Sequence, residues 1–169
     1  MDRSELIASF QDTLTLSTTG ELDSLTKKAV DSSKVYYEGF ESGVQIREAE
    51  CHIAISANTT FAEAQKYVGE GRIAVLNFAN PVNPGGGVET GAMGQEECLC
   101  RSSNLYICLR ANHLYDEYYD YHSKLNSHFY SDRLIYTRDV TVFKNDSAIP
   151  AKLPRENWFH VDVITCAAV

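Results

Sequence analysis

The chain has 169 residues, room for one domain with a hydrophobic core and too few for two of ordinary size. Its 15 Lys and Arg stand against 23 Asp and Glu, a formal net charge of -8, which argues against a surface that grips duplex nucleic acid or anionic lipid by counterion release. The longest apolar stretches, such as Val161 to Val169, are of strand length and far short of a membrane span, and the acidic start Met1-Asp2-Arg3-Ser4-Glu5 does not read as a signal peptide. A cytoplasmic protein that contacts neither membrane nor duplex nucleic acid is expected.

In chain order, Leu6, Ile7, Phe10 and Leu14 fall at helical spacing behind a Ser4 cap, and Leu22, Leu25, Ala29 and Val30 repeat the pattern over Glu21 to Ser32. Three short strand candidates follow, Lys34 to Tyr37, Val44 to Glu48 and His52 to Ser56. Asn58-Thr59-Thr60 opens a helix through Tyr67, with Glu63 set against Thr60 as a capping box and Gly69 to Gly71 closing it. Ile73 to Phe78 is an almost unbroken apolar run, expected as a central strand covered on both faces.

A Pro/Gly/Asn loop over Ala79 to Gly94 leads into a long helix from Gln95 towards Asn112, resumed after a break from Tyr115 to Leu125. Strands return at Leu134 to Thr137 and Val140 to Lys144, and a buried strand is expected over Phe159 to Ala168. The alternation describes one α/β domain with a mixed sheet. Seven of the ten tyrosines lie between Tyr106 and Tyr136, but those at 115, 118, 119 and 121 sit among Asp116, Glu117 and Asp120, acids that oppose a phosphate backbone. Helix packing with exposed hydroxyls accounts for them better.

The five cysteines, Cys51, Cys98, Cys100, Cys108 and Cys166, are an odd number and read as reduced thiols, small apolar residues on a buried helix face. Cys98-Leu99-Cys100 has one intervening residue, too few for a common zinc pair, so no metal is expected.

The chemistry concentrates in Asn77-Phe78-Ala79-Asn80-Pro81-Val82-Asn83-Pro84-Gly85-Gly86-Gly87, followed after seven residues by Gln95-Glu96-Glu97. Three glycines after a buried strand let backbone approach a ligand closely and turn N–H groups inward, and a helix starting near Gly94 adds its positive end. A diphosphate suits that pair of features. A Walker loop is ruled out because no Lys or Arg occurs between Arg72 and Arg101. A dinucleotide fingerprint from Gly85 would need glycine where Thr90 stands. Glu96 and Glu97 alone read as a solvated first helical turn; beside an anion loop and the asparagines at 77, 80 and 83, which could bond sugar hydroxyls, they read as acid catalysts.

The segment Gly85-Gly86-Gly87-x7-Gln95-Glu96-Glu97 resembles the signature of the poly(ADP-ribose) glycohydrolases, in the microbial-type branch of the macrodomain superfamily. Asn58 to Ala64, Cys100 to Tyr106, Leu134 to Phe143 and Val161 to Ala168 resemble further segments of that family, so the likeness runs over about residues 58–168. It implies a macrodomain-like three-layer α/β/α fold within 1–169, with a helical extension over about 1–33 and a core over about 34–169. Hydrolysis of the ribose–ribose bond of poly(ADP-ribose) is implied without a cofactor.

By the same resemblance Glu97 is the catalytic acid/base, its carboxyl pushed up by Glu96. Glu96 holds hydroxyls of the ribose, Asn80 orients it, Gly85, Gly86, Gly87 and Val88 wrap the diphosphate, and Gln95 makes a further contact. The ligand is ADP-ribose or its polymer, carried on modified proteins. Family members run on well past the position of Val169, so the domain is expected to be truncated, with self-association through the edge of an uncovered C-terminal strand. A non-catalytic ADP-ribose reader and an incomplete domain without an assembled site stand as alternatives.

Overall fold

The computed structural model describes residues 2–43, 50–125 and 129–167. Two helices lead, α1 (Arg3–Ser17) and α2 (Gly20–Ser32), and bury Leu6, Phe10, Leu22 and Ala29. The cap of α1 is Asp2 rather than Ser4. Its Oδ1 accepts the Ser4 N–H at 3.0 Å and its Oδ2 the Ser4 hydroxyl at 2.7 Å, so a carboxylate also meets the positive helix end.

Four strands, β1 (Lys34–Tyr36), β2 (Ala74–Ala79), β3 (Leu134–Val142) and β4 (Phe159–Ala167), form one sheet in the order β1-β3-β4-β2. The β1–β3 and β3–β4 pairs are antiparallel and β4–β2 is parallel, so the sheet is mixed as expected. The two strands expected around Leu134 to Lys144 are one, carried through a register irregularity between Thr137 and Val140. Asp139 takes φ 54° there and its N–H donates to Asp162 Oδ1 at 3.1 Å. The buried Asp162 carboxylate also accepts from Arg72 and Tyr136, so one acid holds the bulge together.

The Val44 to Glu48 candidate lies outside the described residues. His52 to Ser56 forms no strand: Ile53 and Ile55 are exposed and meet no partner strand among the described residues, since alternation makes a strand only where a sheet edge receives it. Helix α3 (Thr60–Ala64) runs on as a 3-10 turn over Gln65–Tyr67. Its capping box is not made. Thr59 is the N-cap, Glu63 turns back to accept from Ser56 Oγ and Asn58 Nδ2, both at 2.6 Å, and the Phe61 N–H goes to the distant Asp146 carboxylate at 3.2 Å.

The run expected as a central strand is β2, and it stands at the edge among the described residues, with β4 between it and β3. Only one of its faces is covered. Val75, Asn77 and Ala79 are buried, while Leu76 is 39% and Phe78 62% exposed. An unbroken apolar run does not say which faces will be covered. The open face continues over the half-buried Leu134, Tyr136, Ile164 and Cys166, so among the described residues two layers are present, the sheet and the helices on its buried side. Among the described residues β4 is interior to the sheet, and the open apolar surface is a sheet face.

The long helix divides into α4 (Gln95–Ser102), α5 (Leu105–Leu109) and α6 (Asn112–Leu114), then a π-helical turn over Tyr115–Asp120 and α7 (Tyr121–Ser123). The break after Ser102 is tertiary in origin. Ser103 bridges Val142, the Asn104 N–H donates to Thr141 O at 3.2 Å, and Asn104 Oδ1 accepts the Thr141 N–H at 2.9 Å.

The tyrosine hydroxyls are less exposed than expected. Tyr118 and Tyr119 are buried; the Tyr118 hydroxyl oxygen accepts the Ala167 N–H at 2.9 Å, and that of Tyr119 has no partner among the described residues. Of the cysteines, only Cys100 and Cys108 are buried on helices; Cys51 is exposed and Cys166 lies on β4. No helix among the described residues is long and apolar enough to cross a membrane.

Candidate active site

The parallel strands β2 and β4 end at one rim of the sheet, the place where open α/β sheets hold ligands, and the loop after Ala79 begins there. Asn80 shapes its first turn. Its side-chain Oδ1 accepts the N–H groups of Val82 at 3.0 Å and Asn83 at 2.8 Å, which leaves Nδ2 as the donor it can offer a ligand hydroxyl.

Gly85 and Gly86 then take φ 74° and 59°, the left-handed region that glycine alone enters without strain. Space demands glycine as well. A Cβ on Gly85 would stand 2.6 Å from the Tyr106 ring, and one on Gly86 2.5 Å from Glu97 Oε1. Val88 is fully buried and roots the loop in the core.

Helix α4 starts at this loop and lays both acids against it. Glu97 Oε1 accepts the Gly87 N–H at 2.8 Å. Glu96 Oε2 accepts the Asn80 N–H at 2.8 Å, and its Oε1 accepts from Gly85 N at 3.2 Å and Asn77 Nδ2 at 3.4 Å. The two residues differ in setting: Glu96 is 3% exposed and Glu97 is half-buried. Burial pushes the Glu96 carboxyl up to about 7, against its hydrogen bonds from Asn80, Asn77 and Gly85 and with help from the neighbouring Glu97 charge. Through these bonds Glu96 braces strand, loop and helix against one another.

Gln95 is also a brace. Its Oε1 accepts the Phe78 N–H at 2.9 Å, and its Nε2 donates to Leu76 O at 2.7 Å and to Thr60 Oγ1 at 3.2 Å, so the amide imitates a neighbouring strand along the free edge of β2. The site thus gathers Asn80, Gly85, Gly86, Gly87, Val88, Glu96 and Glu97, with Gln95 in support.

Asn77 is not a sugar contact, because it is fully buried, donating to Glu96 and, at 3.2 Å, to Thr165 Oγ1 of β4. The strand's period marked it in advance: it points inward with Val75 and Ala79. Two residues carried no earlier assignment. Tyr106 packs on Gly85, donates to Glu89 and receives Arg110 Nη1 at 3.0 Å. The buried Arg101 donates to Ala92 O at 2.6 Å and to Cys98 Sγ at 3.4 Å, tying the end of the loop to α4. No signal short of the fold picks out Arg101, which reads as a helix-terminal cation.

Among the described residues no three His, Cys, Asp or Glu side chains converge on a metal site. What the arrangement offers is proton chemistry, the half-buried Glu97 side chain beside a buried Glu96 carboxyl raised to about 7, at the lip of a glycine loop.

Comparison with known proteins gives a consistent answer. Residues 4–145 match the microbial-type PARG catalytic domain. The poly(ADP-ribose) glycohydrolase of Thermomonospora curvata superposes with a TM-score of 0.81 at 31% identity, over 96% of this chain and 64% of that one. The same enzyme bound to the inhibitor ADP-HPD gives 0.78 at 30% identity, over 96% and 62%. The Deinococcus radiodurans enzyme in complex with ADP-ribose gives 0.59 at 38% identity, over 67% and 43%. No curated protein matches in sequence. The chain spans less than two thirds of the length of these solved structures. With the family match covering most of its residues and the glycine loop and paired glutamates meeting in space, the chain belongs to the microbial-type PARG catalytic-domain family.

Proposed function

We propose that this site hydrolyses the O-glycosidic ribose–ribose bond of poly(ADP-ribose) and releases ADP-ribose. The observation that carries the reading is the meeting of Glu97 Oε1 with the Gly87 N–H at 2.8 Å, which sets an acid/base group at the border of an anion-binding loop. Glu97 protonates the leaving ribose oxygen and, once ionised, draws a proton from the water that attacks the oxocarbenium-like carbon. Asn80 Nδ2 orients the ribose. Glu96, neutral for much of its population near pH 7, holds Asn80 and Gly85 in place without adding a full charge beside the diphosphate. The ADP-ribose and ADP-HPD complexes of the two relatives support ADP-ribose as the ligand, free or on modified proteins.

We place the protein in the cytoplasm, a reading supported by its five unpaired cysteines. Association of copies through the open sheet face, with Phe78 exposed on it, belongs to the same proposal.

The test is release of ADP-ribose from a poly(ADP-ribosyl)ated protein. Glu97→Gln is expected to lower the rate by at least about a hundredfold, the usual worth of a general acid. Equal release by the wild type and Glu97→Gln would remove Glu97 from the mechanism. Calorimetric binding of ADP-ribose by a wild type that releases none would make the protein a reader.

A further inference from the structure

Every amide at the turn of the glycine loop already has an acceptor. The Gly86 N–H goes to Asn83 O at 2.9 Å and the Val88 N–H to Gly85 O at 3.2 Å, bonds that define the turn itself. The other two go to side chains: Gly85 N–H to Glu96 Oε1 at 3.2 Å and Gly87 N–H to Glu97 Oε1 at 2.8 Å. The donors a diphosphate would use are thus held by two carboxyl groups. Both crowd one point, since a Cβ on Gly86 would lie 2.5 Å from Glu97 Oε1 and 3.2 Å from Glu96 Oε2.

Resting on the ligand proposed above, we infer that Glu96 and Glu97 are resident occupants of the loop's amide donors, and that a diphosphate binds by taking the Gly85 and Gly87 N–H groups from them. An ionised Glu97 and a phosphate compete for a donor on like terms, because each is an anion accepting a charge-assisted bond, while Glu96, neutral for much of its population near pH 7, yields the Gly85 N–H more readily. When the ligand takes Gly87 N–H, Glu97 Oε1 loses its tie, and the carboxyl, taking up a proton from solvent, turns towards the leaving oxygen as its acid. Recognition of the diphosphate and release of the acid are then one event. A sugar without a diphosphate leaves Glu97 latched.

The exchange is tested on the full chain labelled with 15N-glycine, with ADP-ribose titrated into wild type, Glu97→Gln and Glu89→Gln. Glu89 is the control, an exposed acid near the loop that accepts from Tyr106 and from no loop amide. Glu97→Gln is expected to move the Gly87 amide resonance in the free protein and to tighten ADP-ribose by about threefold to tenfold, since the amide oxygen put there still accepts the Gly87 N–H and only the charge assistance is lost. Glu89→Gln should change affinity by less than about twofold, as rim charges do. In the wild type, ADP-ribose should move the Gly85 and Gly87 amides furthest. Unchanged or weaker binding by Glu97→Gln, or equal tightening by Glu89→Gln, overturns the exchange while leaving the ligand intact. Binding by none of the three proteins overturns the ligand reading, and the exchange with it.

Discussion

Glu96 ties the charge state of the site to the stability of the fold. Its carboxyl sits at about 7 in the folded chain against an ordinary 4.5, so the folded state keeps a proton that the unfolded chain has lost over that interval. Stability therefore falls as pH rises from about 4.5 through about 7 and is constant in this respect above it. At about 1.4 kcal/mol per pH unit the ceiling on the loss is about 3 kcal/mol. Thermal melts of the wild type are expected to drop across that range, and Glu96→Gln to flatten the slope. Gly86→Ala is expected to lose ADP-ribose release and at least about 1–2 kcal/mol, since it forces a left-handed φ and a collision with Glu97; urea unfolding alongside the release assay checks both. At this scale the glycines and paired glutamates were legible as types and spacings. Which glutamate is buried was not, because Asn77 and Thr165 decide it, and Thr165 arrives from β4 far along the chain.

Among the elements, the join between α4 and β2 shows how a helix can substitute for a strand. Gln95 satisfies Leu76 O and Phe78 N–H on the free edge of β2, and Thr60 adds α3 to the same join. Gln95→Ala is expected to cost about 1.5–4.5 kcal/mol in denaturant unfolding, three hydrogen bonds at about 1 ± 0.5 each. A steeper fall in ADP-ribose release than in stability would assign Gln95 a ligand contact as well. Helix positions were legible from apolar period, and so were α1, α2 and the start of α4. The break at Ser103 was not, as neither glycine nor proline marks it; Val142 and Thr141 of β3 pull the backbone out of the helix. In the same way the bulge at Asp139 answers to Asp162, a residue of another strand.

For the molecule as a whole, the segments that form β1 to β4 were legible as apolar or alternating runs, but not that His52 to Ser56 would stay out of the sheet, nor the order of the strands. The apolar run at 74–79 and the one at 159–167 look alike in sequence, yet the first stands at the edge and the second in the middle, because pairing depends on crossovers that no local pattern records. The open face follows from that order. Phe78→Ser should reduce concentration-dependent association in light scattering and leave the melting temperature within a few degrees, since an exposed ring contributes little to folding. The central place of β4 also sets an order of assembly. It is the last of the described elements to be synthesised, and until 161–167 has left the ribosome β2 and β3 share no neighbour, Asn77 lacks Thr165, and the Tyr118 hydroxyl lacks the Ala167 amide. A nascent chain short of that point carries the glycine loop and both glutamates on an unclosed sheet, open to chaperones and proteases. The candidate site in this sense waits for β4, which closes it from behind and contributes none of its proposed reacting groups.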